Sequence, residues 1–90
     1  MKVVINGDSM YPTLTDGSEV HFISKEPSVG DVVLAEHPFK IGLLMVKRVQ
    51  SIENGRVFLT GDNPDPTASE DSHNFGPVSL DRIHGVMVSS

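Results

Sequence analysis

Ser9 and Lys47 are the residues with which this chain can do chemistry. Ser9 sits in the string Gly7-Asp8-Ser9-Met10-Tyr11-Pro12-Thr13-Leu14, and Lys47 stands beside Arg48 inside an apolar run. A serine hydroxyl is a weak nucleophile at its own pKa and needs a base to take its proton as it attacks. No His-Asp companion is evident, so the lysine is the candidate base. Its ammonium ordinarily titrates near ~10.4 and can serve only where desolvation leaves it partly neutral at working pH.

The surrounding elements decide whether those conditions are met. Leu43-Leu44-Met45-Val46-Lys47-Arg48-Val49 contains no Gly or Pro and reads as a buried or half-buried strand. With side chains alternating, Leu43, Met45, Lys47 and Val49 share one face, while Leu44, Val46, Arg48 and Gln50 share the other. Lys47 therefore points among apolar neighbours. Two plainer readings stand beside this one: an edge-strand lysine that keeps its charge in water, and an Asn-Gly-Asp-Ser stretch that is only a turn. Pro12 stiffens the backbone just after the serine by fixing its own φ and restricting Tyr11, which suits a positioned nucleophile.

The remaining chain reads as short β segments: residues 19–24, 31–36, 43–52, 56–60 and 83–88, after an apolar lead-in over 1–5. Asn54-Gly55 between two of them is a strong hairpin signal and puts Lys47 on the hairpin's first strand. Residues 61–77, rich in Pro, Asp, Ser and Asn, read as a long loop, a class that is usually functional or disordered. No segment carries helical periodicity. The expectation is a compact, mostly β fold forming a single domain over residues 1–90.

Composition narrows the function. With 38% hydrophobic and 21% charged residues over 90 positions, the chain is an ordinary globular sequence. A net charge of -5 argues against nucleic acid and anionic lipid as partners. No apolar stretch reaches the roughly 18 to 20 residues of a membrane span, and a cytoplasmic location is expected. Cysteine is absent, which removes disulfides and thiolate metal sites. His21, His37, His73 and His84 are scattered without metal-ligand spacing, so no metal is expected. Position 11 is Tyr, which breaks the G-x-S-x-G elbow. With no phosphate-binding or dinucleotide loop either, no cofactor is implied.

Three groups of residues together resemble the type I signal peptidase family of serine-lysine endopeptidases. Ser9-Met10-Tyr11-Pro12-Thr13-Leu14 resembles its nucleophile box. Gly30-Asp31-Val32 followed by Val46-Lys47-Arg48-Val49 resembles its lysine box. Gly61-Asp62-Asn63, Ser69-Glu70-Asp71-Ser72 and Phe75-Gly76-Pro77-Val78 resemble its last box. Within that group the chain is most similar to the maturation proteases of nickel-type superoxide dismutase, which share the Leu-Leu-x-Val-Lys-Arg-Val wording.

The resemblance implies a small β-barrel-like fold of antiparallel strands, as in signal peptidases and SOS repressors. It implies a serine endopeptidase in which Ser9 attacks, Lys47 is the base, Ser69 orients the lysine, and the Ser9 backbone N–H stabilises the oxyanion. The implied partner is a precursor protein, the nickel superoxide dismutase leader in particular, docking as an added strand. Met10 and Met45 are candidate walls of its side-chain pockets, with core packing the competing use. Gly7 removes a side-chain oxyanion donor found in some members. His73 replaces a usual arginine, leaving Asp71 with Arg48 or His73 as its partner. Two rivals share the fold. A self-cleaving repressor-type peptidase is disfavoured because only eight residues precede Ser9 and no Ala-Gly bond occurs, and a silent peptide-binding module is disfavoured by retention of both Ser9 and Lys47.

Overall fold

Among the described residues, seven strands, all paired antiparallel, form one curled sheet in the order β1-β2-β7-β3-β4-β5-β6. They are β1 (Lys2–Val4), β2 (Glu19–Ile23), β3 (Val32–Glu36), β4 (Leu44–Glu53), β5 (Arg56–Thr60), β6 (Val78–Ser79) and β7 (Ile83–Met87). This computed structural model describes residues 1–65, 67–68 and 70–88. The sheet curls into a half-barrel, in keeping with the mostly β fold expected from the sequence.

Burial explains why these segments are strands. In β2 the sequence Glu-Val-His-Phe-Ile alternates, burying Val20 and Phe22 and exposing the rest. In β3 four successive residues are buried, because this central strand faces a core on each side. Val33 and Ala35 pack with Val49, Val57, Leu59, Val78 and Val86 in one core. Val32 and Leu34 pack with Ile5, Met10, Val20 and Phe22 in the other.

The hairpin signal is realised. Asn54 and Gly55 both adopt positive φ, 51° and 74°, the geometry a two-residue type I′ turn requires. They close β4 onto β5 with Glu53 opposite Arg56. A bulge between Val49 and Ser51 interrupts the register, so the alternation that holds through Val49 does not run unbroken to the turn.

Three features depart from the sequence reading, the first being β6, which pairs with β5 outside every segment expected to be a strand. The apolar lead-in is itself a strand, β1, paired with β2 through Val3 and Val20. The long stretch 61–77 is not loop throughout: Ser72–Phe75 form one helical turn, α1, capped by Asp71. The Asp71 carboxylate accepts the His73 N–H, while Asn74 Oδ1 accepts the Asp71 N–H in return. A four-residue helix carries no periodicity for sequence inspection to detect, and only its capping residues mark it.

Candidate active site

The turn that carries Ser9 connects β1 to β2 and is closed at its base by two backbone bonds. Ile5 N–H donates to the Ser18 carbonyl and Gly17 N–H to the Ile5 carbonyl, both at 2.8 Å. Inside the loop, Gly7 takes φ of 90°, a conformation costly for any side-chain-bearing residue, and its N–H donates to Asp16 Oδ1 at 2.7 Å. Met10 is 1% exposed and anchors the turn into the second core. Ser9 is left half-buried above it.

The Gly61-Asp62-Asn63 segment holds this turn from the other side. Asn63 donates its backbone N–H to the Ser9 carbonyl at 2.9 Å and its side-chain amide to the Asp8 carbonyl at 2.8 Å. Thr13 Oγ1 donates to Asp62 Oδ2 at 2.6 Å. Asp62 in turn receives a two-pronged contact from Arg48, with Nε to Oδ1 at 3.1 Å and Nη2 to Oδ2. Arg48 follows Lys47 in β4, so one chain of polar contacts runs from the lysine strand to the serine turn. The Arg48 contacts hold the Asp62 carboxyl below the usual carboxylate range, and the Thr13 hydroxyl adds to the effect.

Lys47 lies opposite Val33 in the interior of the sheet, between β3 and β5. It is 4% exposed, which disposes of the solvated edge-strand reading. Burial pushes its pKa below the ordinary lysine value, opposed by the carboxylates of Asp71 and then Glu70. No carboxylate among the described residues comes within salt-bridge range of its ammonium. Desolvation therefore outweighs attraction here.

Such a lysine opposes folding near neutral pH. With its folded-state pKa below the unfolded value, the unfolded chain binds more protons between the two, and stability rises with pH across that window, up to about 10.4. Lys47→Met keeps a flexible unbranched side chain and removes the charge. It is expected to raise unfolding stability at pH 7 by about 1 kcal/mol and to flatten the alkaline rise. Urea denaturation at pH 7 and pH 10 checks this, and a destabilised Met variant would contradict it.

Ser9 and Lys47 open on the same cleft, about 410 Å³ in volume. Val3, Ile5, Met10, Leu34, Met45 and Val46 supply apolar wall, and Glu70 a carboxylate. Both methionines singled out from the sequence thus border it, Met10 while also serving the core. No hydrogen bond joins the serine and lysine side chains. No acceptor among the described residues meets the Ser9 N–H, which leaves it available to an oxyanion. Ser69, expected to orient the lysine, lies outside the described residues.

Of the two partners open to Asp71, the structure selects His73: Nδ1 sits 2.9 Å from Oδ1, and Arg48 is committed to Asp62. Asp71 also accepts the Gly61 N–H at 3.2 Å, and Ser72 Oγ accepts the Leu59 N–H at 2.9 Å, tying the last box to β5. Sequence inspection missed His37, which is 3% exposed and contacts Glu70. One histidine among four scattered ones offers no signal of burial.

An antiparallel half-barrel with a serine and a buried lysine opening on one cleft fits the signal-peptidase-like class of peptidases. The chain belongs to the Peptidase S24-like family, whose model matches residues 1–83. It is also similar to mitochondrial inner membrane protease subunit 1 of Xenopus tropicalis, with 32% identity over an alignment of 110 residues. That alignment covers 92% of this chain and 64% of the relative's length. No helix among the described residues is long and apolar enough to cross a membrane.

Proposed function

We propose that this chain is a serine endopeptidase in which Ser9 is the nucleophile and neutral Lys47 the general base. The observation that carries this reading is the shared cleft, with a serine hydroxyl at the surface of a turn and a dehydrated amine on the facing strand. An extended peptide enters beside the strands, its main chain hydrogen-bonding to exposed backbone groups and its side chains filling the apolar wall. Lys47 takes the Ser9 proton as Oγ adds to the scissile carbonyl, and the Ser9 N–H receives the developing oxyanion. Lys47 then protonates the departing amine. Water, deprotonated by the same lysine, hydrolyses the acyl-enzyme.

The substrate in this reading is a precursor protein that loses an N-terminal leader, and resemblance to the superoxide dismutase maturation proteases nominates the nickel enzyme's precursor. Location in the cytoplasm, a single domain over residues 1–90 and a lysine-orienting role for Ser69 belong to the same proposal. Incubation of the protein with that precursor, followed by mass spectrometry of the new N-terminus, tests it. One defined cut is expected. An untouched nickel superoxide dismutase precursor, with other leader-bearing peptides cleaved, would discard the substrate and keep the chemistry.

A further inference from the structure

We propose that Glu70 is a specificity-determining residue that selects a substrate carrying a lysine or arginine side chain at one fixed position near the cut. This rests on the endopeptidase reading. Glu70 is the acidic residue bordering the cleft that holds Ser9 and Lys47, among largely apolar neighbours. Near a base that must lose its proton, a carboxylate is counterproductive in the empty cleft, since its charge favours the lysine ammonium. Its presence there calls for another use.

The way Glu70 is held points to that use. His37 is buried between β3 and β4, with its ring 4.8 Å from that of Phe75. Its Nδ1 accepts the backbone N–H groups of Phe39 and Lys40 at 3.1 and 3.2 Å. That leaves the proton on Nε2, which donates to Glu70 Oε1 at 2.5 Å. The Lys40 ammonium stands 3.7 Å from the same oxygen. A buried, oriented donor thus fixes a carboxylate that is itself 49% exposed, and this hydrogen bond holds the carboxyl below the usual carboxylate range. No hydrogen bond among the described residues reaches Oε2.

An ionised, pre-oriented acceptor at the margin of an apolar cleft is complementary to a cationic side chain whose stem lies along the wall. The net charge of -5 favours approach of a basic peptide. Once paired, the incoming cation cancels the Glu70 field at Lys47, so the bound substrate makes the base easier to deprotonate. Recognition and activation of the base are then coupled through one carboxylate.

A proteome-derived peptide library, digested by wild-type protein and by Glu70→Gln and read by mass spectrometry, tests this. Glutamine keeps the size of the side chain and an oxygen that can accept from His37, and thermal melting checks that the variant is folded. Wild type should show lysine and arginine enriched at one position relative to the cut, and that enrichment should vanish in Glu70→Gln while preferences elsewhere persist. For a cleaved peptide, replacing that lysine with norleucine should lower wild-type kcat/KM about tenfold and leave the variant's unchanged. Cuts without basic enrichment in wild type, or equal enrichment in the variant, would overturn the role of Glu70 and leave the peptidase intact. No cleavage by either protein would overturn the endopeptidase reading, and this inference with it.

Discussion

Ser9→Ala is expected to lower cleavage of a precursor peptide by at least about a thousandfold, and Lys47→Arg by a similar factor. The arginine keeps the charge of the lysine but cannot surrender its proton in a protein, so it isolates the base from simple electrostatics. Because the proposed nucleophile and base would act in one step, the double variant should be no worse than either single variant. Steady-state kinetics on the three proteins measure this. Losses that multiply in the double variant would mean that the residues act independently. Burial acts on the stability side as well, since a lysine at 4% exposure carries a pKa lowered by desolvation and opposes folding near neutral pH.

Asp62→Ala should give the next largest effect, a fall in kcat of about ten- to a hundredfold, because small displacements between reacting groups are amplified in rate. Asp62 joins Arg48 of the lysine strand to Thr13 of the serine turn, and its neighbour Asn63 grips the Ser9 and Asp8 carbonyls. Removing the carboxylate leaves a partly buried guanidinium with lost partners, at about 1–3 kcal/mol of stability. KM should change far less than kcat, since Asp62 does not border the cleft. A variant that loses stability with kcat intact would reduce the contact to a structural one. The contact also has a pH signature. Asp62 has a folded pKa below its unfolded value, so its contribution is complete above the ordinary carboxylate range of about 4 and fades as pH falls through the lower folded value.

Much of this was legible before folding because it is written locally. Strand β5 and its hairpin followed from Asn54-Gly55 and from alternating residues, and the burial of Lys47 from the apolar residues around it. The type of each cleft residue was visible too, since Ser9, Met10, Met45 and Lys47 lie in motif strings. What stayed hidden depends on meetings between distant segments. Asp71 had two basic candidates, Arg48 and His73, and the distance of each could be read only in three dimensions. His37 was one of four scattered histidines, and only the fold sets its ring against Phe75 with two backbone donors on Nδ1. Helix α1 escaped because four residues are too few for a period. The bulge after Val49 escaped because nothing in Gln50-Ser51 announces it.

Formation of an acyl-enzyme on Ser9, followed by intact-protein mass spectrometry across a pH series with an activated peptide ester, tests whether Ser9 and Lys47 act as nucleophile and base. A single adduct mapping to Ser9 is expected, formed faster as pH rises through a lysine pKa lowered by burial, and lost in Lys47→Arg. An adduct on another residue, or acylation of Ser9 at the same rate and pH dependence in Lys47→Arg, would contradict those roles.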